Sequence, residues 1–355
     1  MDLRERVWQS LRGVRYPGYT RDIVSFGLVR RVEVGDRGVT VLLGIGHLAP
    51  HVQRAIEAQV HHVLGALPGV AGVAVEIVAA DRSPHRTSRQ EGDRPPFLGP
   101  DSRTIVLPVA SGKGGVGKST VTVNLAVAVA QRGRRVGVID ADVYGFSIPR
   151  MLGVRGAPGV VDRKIVPLER AGVRVISVGM LVGTEEAVIW RGPLLHKTLT
   201  TFITQVAWGE LDYLFVDLPP GTGDVPLTIA QELPGARMIV VTTPQDAAVE
   251  VAARAARMAE TVNMDVAGVI ENMSFYRPDP ESPPVYVFGQ GGGRRLARLI
   301  DAPLLAEIPL DPLVRESGDR GEPVVLGAPC SPASRAFLAA AEQLLRIGES
   351  APVPS

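Results

Sequence analysis

The run Ser111-Gly112-Lys113-Gly114-Gly115-Val116-Gly117-Lys118-Ser119-Thr120 constrains this chain more than any other stretch. It follows an apolar segment, Ile105 to Val109, and leads into a helical pattern from Thr122 to Gln131. A strand that feeds a glycine-rich turn and then a helix aims several backbone N–H groups at one point, at the positive end of the helix dipole. That is a phosphate-binding arrangement. Gly112, Gly114, Gly115, Val116 and Gly117 supply backbone that can approach phosphate oxygens closely. Lys118 is placed to reach the β- and γ-phosphates and Ser119 to hold Mg2+, with Thr120 beside it.

Two acidic sites complete the constellation. Arg135 to Ile139 reads as a second buried strand ending in Asp140-Ala141-Asp142, and Asp212 to Phe215 opens a third that ends in Val216-Asp217-Leu218-Pro219-Pro220-Gly221-Thr222-Gly223-Asp224. In a doubly wound parallel sheet the carboxyl ends of the strands line one crevice, so the three motifs converge. The expected fold is α/β, a doubly wound and mainly parallel sheet carrying a phosphate loop, preceded by a small α/β domain. Mg2+ takes oxygen ligands and keeps much of its water, which makes Ser119, Asp140 and Asp217 its candidate site. Asp142 is placed to orient an attacking water, and Gly221 can offer its N–H to a γ-phosphate. Any one of these acids alone would serve as well as a helix cap; beside the phosphate loop, chemistry is the stronger reading.

Lys113 lies too near the loop start to reach the phosphates of its own nucleotide easily. In a face-to-face dimer it could reach the partner's nucleotide and act as an arginine finger does, which adds it to Lys118, Asp142 and Asp217 as a catalytic candidate. The bland alternative is a solvated lysine.

Four segments are expected: a small domain over 1–80, a flexible linker over 81–100, the nucleotide domain over 101–348 and a disordered tail over 349–355. The first shows a helix from Asp2 to Leu11, a turn at Tyr16-Pro17-Gly18, and strands over Val29–Val34 and Val39–Leu43. A helix from about Pro50 to Leu67 and a strand over Val73–Ala79 follow. His47, His51, His61 and His62 fall in this domain without the spacing of a metal site. The linker is rich in Arg, Ser, Pro and Asp and too polar to bury itself. Near the other end, Phe337, Leu338, Ala341, Leu344 and Leu345 recur at helical spacing, as expected of a helix packed on the nucleotide domain.

At 355 residues with a formal net charge of +1, the chain gives no electrostatic sign of a nucleic-acid partner. The residues after Met1 lack the apolar core of a signal peptide and no run reaches membrane-spanning length, so a cytoplasmic protein with no membrane partner is expected. The one cysteine, Cys330, excludes an internal disulfide and is expected to be a buried, inert thiol.

The stretch Lys113 to Ser119 resembles the deviant phosphate loop of the MinD/ParA/nitrogenase-iron-protein class of dimeric ATPases. Asp140-Ala141-Asp142-Val143-Tyr144-Gly145, Trp190-Arg191-Gly192-Pro193, Asp217 to Asp224, Thr242-Thr243-Pro244-Gln245, Glu271-Asn272-Met273-Ser274 and Phe288 to Gly293 narrow it. From about Thr104 to about Gly327 the chain is similar to the Mrp/ApbC family of iron–sulfur cluster carrier ATPases. That resemblance implies ATP and Mg2+ as cofactors, a homodimer formed over ATP, slow hydrolysis, and a labile cluster passed to apo iron–sulfur proteins or exchanged with an assembly scaffold. It also implies that Asn272 bonds the adenine edge, with Pro309, Leu310 and Asp311 as the far wall of the base pocket. Capping of a neighbouring turn is the alternative for Asn272. Asp22 to Val29 resembles the PaaD/SufT-type domain of iron–sulfur assembly factors.

Two departures stand out. Where much of the family carries Cys-x-x-Cys after the Asn-Met-Ser motif, this chain has Phe275 to Pro284 without cysteine, and the small domain has Ala49-Pro50 in place of Cys-Pro. An iron–sulfur cluster usually takes four thiolates, and two copies of Cys330 are too few. The cluster ligands therefore stay open among carboxylates, histidines, an external thiol or a partner. Two other readings remain: a nucleotide-gated adaptor that carries no cluster, and a spatial regulator of the MinD/ParA kind, which the near-neutral charge and the lack of a basic amphipathic tail disfavour.

Overall fold

The computed structural model describes residues 3–15, 22–24, 28–35, 38–45, 50–78, 97, 102–142, 145–180, 192–221, 225–279 and 281–349. The turn expected at Tyr16, the residues His47 and Ala49, all of the 81–100 segment but Phe97, the Trp190-Arg191 pair, Thr222 to Asp224 and the tail after 349 lie outside these. The chain separates into two compact units, 1–90 and 91–355.

In the first unit, α1 (Leu3–Leu11) and α2 (Pro50–Gly65) accompany a sheet of β1 (Val29–Gly35), β2 (Gly38–Leu43) and β3 (Val73–Ile77). β1 and β2 pair antiparallel and β2 and β3 parallel. Alternation along β2 buries Val39, Val41 and Leu43 on one face, against Val7 and Leu11 of α1 and Ile56, Val60 and Leu64 of α2. The two expected helices and three expected strands are present within a residue or two of their expected ends. His61 and His62 are exposed.

The second unit is built on an eight-stranded sheet. Its strands are β4 (Ile105–Ser111), β5 (Val136–Asp140), β8 (Leu168–Arg170), β9 (Val173–Ser177), β10 (Tyr213–Asp217), β11 (Arg237–Thr242), β12 (Asp265–Glu271) and β13 (Leu304–Glu307), in the spatial order β13-β12-β11-β4-β10-β5-β9-β8. All neighbours run parallel except β8, which pairs antiparallel with β9. A separate short hairpin, β6 (Gly159–Val161) and β7 (Lys164–Val166), stands apart from it. The central strands are unbroken apolar runs because both faces of the sheet are covered. One face packs α5 (Gly192–Gln205), α6 (Val225–Glu232), α7 (Asp246–Thr261) and α8 (Gly292–Leu299); the other packs α3 (Lys118–Ala130) and α11 (Pro332–Glu349).

α3 is apolar on every side and almost wholly buried, the mark of a helix enclosed by its neighbours. α11 supplies part of that enclosure: Phe337, Ala340, Ala341 and Leu344 share a core with Val121, Leu125 and Ala128. An Arg132–Glu342 ion pair at 2.5 Å closes its edge. Short helices α4 (Ile148–Met151), α9 (Pro312–Arg320) and α10 (Val324–Gly327) complete the unit. Phe97 is buried and belongs to the same core cluster as Val106, Trp208 and Leu211, so packing of this unit reaches back at least to that residue. Among the described residues no helix is long and apolar enough to cross a membrane.

Candidate functional site

The parallel register sets the site. Asp217 of β10 pairs with Val109 of β4 on one side and with Asp140 of β5 on the other, and Asp140 pairs in turn with Ser177 of β9. Four strand ends therefore meet at the N-terminus of α3. The turn into that helix is made by Gly117, whose left-handed backbone (φ 82) a side chain would strain and where an added Cβ would overlap the Asn272 amide. Cβ atoms at Gly114, Gly115 or Gly221 would meet nothing within 4 Å, so these residues border open space.

Lys118 is buried between acids: its Nζ lies 2.8 Å from Asp217 Oδ2 and 3.6 Å from Asp142 Oδ2. Although so close to Asp217, the ammonium forms no directed hydrogen bond within the described residues. The Asp217 and Asp142 charges hold it there, and an ammonium with three N–H donors still has donors for a further acceptor. Ser119 Oγ donates to Asp217 Oδ2 at 2.6 Å and Thr122 Oγ1 to Asp217 Oδ1 at 2.8 Å, so the acid is fixed from two turns of one helix. A buried ammonium with donors to spare, a serine hydroxyl beside a carboxylate, and glycines facing open space fit a nucleotide polyphosphate with a divalent cation.

Asp140 is wholly buried. Its Oδ2 accepts from Ser177 Oγ at 3.0 Å and its Oδ1 from the Asp142 N–H at 3.3 Å. Burial, and then the neighbouring Asp217 charge, push its pKa up to about 8 against the opposing pull of Ser177 and Lys118.

Lys113 is half-buried, and its Nζ donates to Gln245 Oε1 at 2.9 Å. Gly221 has φ 102, and its N–H donates to the Ser111 carbonyl at 3.0 Å. Asn272, at the end of β12, is buried and its Nδ2 donates to the Val116 carbonyl at 2.9 Å, which ties it to the phosphate loop. Backbone bonds from Ser274 N to Ile308 O (2.9 Å) and Leu310 N to Phe275 O (2.7 Å) lay the 308–311 segment alongside, bringing Pro309 and Asp311 into the same neighbourhood. Asp311 Oδ1 caps α9 by accepting from the Leu313 N–H at 2.9 Å; its Oδ2 is buried with no hydrogen-bond partner in the described residues.

Thr122, Ser177 and Gln245 belong to this network, and the sequence reading gave none of them a site role. Thr122 had one available signal: it lies one helical turn after Lys118, on the same face.

The segment after Asn272-Met273-Ser274 is ordered around an antiparallel bridge between Tyr276 and Val285, which exchange N–H···O bonds of 2.8 Å each way. Asp279 staples its tip, accepting from Glu281 N, Ser282 N and Ser282 Oγ. Val285, Tyr286 and Val287 are exposed. Cys330 corrects an expectation: it is exposed, because it sits in the turn joining α10 to α11, and such connections run over the surface. Among the described residues no group of three His, Cys, Asp or Glu is placed to hold a metal ion.

Residues 103–345 match the family described as NUBPL iron-transfer P-loop NTPase, and residues 4–77 match iron-sulfur cluster assembly protein. An iron-sulfur cluster carrier protein of Mycobacterium leprae is 42% identical over 358 residues, which span 97% of this chain and 93% of that one. A nucleotide-binding protein of Archaeoglobus fulgidus, solved in complex with ADP, is 39% identical with a TM-score of 0.53, covering 62% of this chain and 87% of its own. The septum site-determining protein MinD of Pyrococcus horikoshii, solved with Mg-ADP, is 26% identical with a TM-score of 0.50, covering 68% and 96%. The phosphate loop, the acids at the strand ends and these likenesses agree, and the chain belongs to the NUBPL iron-transfer P-loop NTPase family.

Proposed function

We propose that this protein is a slow, Mg2+-dependent ATPase that works as a homodimer in the cytoplasm and carries iron–sulfur clusters to apoproteins. The observation that carries the nucleotide half of this reading is the buried Lys118 ammonium, which lacks a directed hydrogen bond beside Asp217 and Ser119. In this reading the backbone N–H groups of residues 114–117 and Lys118 take the phosphates, while Ser119 and Asp217 hold Mg2+. Bound Mg2+ would screen the phosphate charge. Asp140 completes the candidate Mg2+ site, with its oxygens oriented by Ser177 and the Asp142 N–H. Asp142 orients the attacking water, Lys113 crosses to the partner's phosphates, and Gly221 exchanges its bond to Ser111 for one to the γ-phosphate. Asn272, Pro309 and Asp311 frame the base, with the unpaired Asp311 oxygen suited to an exocyclic amine.

The cluster half rests on kinship to carriers and on the assembly-type match of residues 4–77. A second reading, a nucleotide-gated adaptor without a cluster, is favoured by one observation: the hairpin around Tyr276 and Val285 offers no thiol. Iron and acid-labile sulfide per dimer, measured after anaerobic reconstitution of wild type and Cys330→Ser with and without ATP, decides between them. Stoichiometric cluster is expected in the wild type, and its loss in Cys330→Ser would make that thiol a ligand. No cluster in either protein would leave the adaptor.

A further inference from the structure

We propose that Gln245 is a positioning residue for Lys113. It clasps the ammonium within its own subunit and so sets how readily Lys113 is handed to a nucleotide bound by a second copy of the chain; this rests on the trans role of Lys113 proposed above. Lys113 Nζ and Gln245 Oε1 are 2.9 Å apart, and the same oxygen accepts from Thr243 Oγ1 at 3.3 Å, so the amide is oriented with its acceptor toward the lysine.

Both ends of the clasp are anchored. Gln245 is the N-cap residue of α7, and its carbonyl accepts from Ala248 N (2.9 Å) and Val249 N (3.1 Å). Arg295 of α8 fixes the residues on either side, pairing with Asp246 Oδ1 at 2.5 Å and donating to the Pro244 carbonyl at 3.3 Å. On the lysine side, Gly112 lies so close to α7 that an added Cβ would overlap Ala252 N, and Ser111 Oγ donates to the Lys113 carbonyl at 3.1 Å. The flexible part of the pair is the lysine side chain itself. A lysine that reaches across a dimer interface must first leave this acceptor, so the clasp opposes dimerisation once per protomer.

A hydrogen bond with a charged donor is stronger than a neutral one, but this one is only part-buried, so about a threefold effect per protomer is reasonable. The two protomers multiply to about tenfold in the dimer dissociation constant. The test uses the full chain. Acetylation of Lys113 by a succinimidyl ester is followed by mass spectrometry without nucleotide, against the exposed Lys197 as internal reference. Dimerisation is measured by sedimentation with a non-hydrolysable ATP analogue.

In Gln245→Ala, Lys113 should acetylate about threefold faster than in wild type and the dimer should form at about tenfold lower protein concentration. In Gln245→Glu, whose carboxylate grips harder, both shifts should reverse while the variant folds normally. Equal Lys113 labelling in all three proteins, or shifts of the same sign in both variants, would overturn the clasp. Lys113→Ala separates the two ideas. Wild-type turnover there would sink the trans role and the handover with it, whereas an inactive Lys113→Ala beside unaltered labelling in the Gln245 variants would sink the clasp alone.

Discussion

Asp140 and Asp217 stand at adjacent strand ends and both are fully buried, so carrying two charges there is costly. Asp140 is the one that yields, with its pKa raised to about 8. In the unfolded chain it ionises near its ordinary value, so its contribution to stability is present below about pH 4 and is lost as pH rises toward 8. Asp140→Asn should therefore raise the melting temperature of the nucleotide-free protein at pH 8 and leave it unchanged at pH 4, as scanning calorimetry would read. Equal shifts at both pH values would mean that the acid is charged throughout. For the reaction, Asp142→Ala should lower kcat by about a hundredfold or more while ATP still binds, so that a dimer accumulates on gel filtration with ATP. Lys118→Ala should lose ATP binding in calorimetric titration. The phosphate loop and its acids were legible in the sequence because local spacing carries their chemistry. Gln245 was not, since its partner Lys113 is 132 positions away and the contact exists only once β4 and β11 lie side by side.

At the scale of elements, buried parallel strands announce themselves as continuous apolar runs, which is why β4, β5 and β10 could be read from composition alone. The hairpin around Tyr276 and Val285 could not. Its sequence, Arg277 to Pro284, is dense in proline and charge and reads as loop, whereas its order comes from the Asp279 side chain and from backbone bonds to the 308–310 segment. The Ser282 hydroxyl, with the Glu281 and Ser282 amides, holds the Asp279 carboxyl below the usual carboxylate range. A depressed folded pKa means that the staple is present at neutral pH and lost as pH falls through the folded value. Asp279→Ala should accelerate amide hydrogen exchange at Ser282 severalfold at neutral pH without a measurable change in global melting. Protection that survives the substitution would show that backbone bonds alone order the tip.

At the scale of the whole molecule, the polar stretch 81–100 marks a division in composition, but composition does not say where packing resumes. Phe97 does, because it is buried in the core cluster of the second unit. Phe97→Ala should cost about 3 kcal/mol in the stability of the second unit by denaturant titration. A change below about 0.5 kcal/mol would mean that Phe97 is not part of that core. The arrangement of α3 and α11 carries a different consequence. The helix that begins at Lys118 shares its core with α11, so α11 holds the helix whose first turn carries Lys118 and Ser119. Trimming α11 would strip Phe337, Ala341 and Leu344 from the face that encloses α3, so a change far along the chain from the phosphate loop would loosen the helix that starts at it.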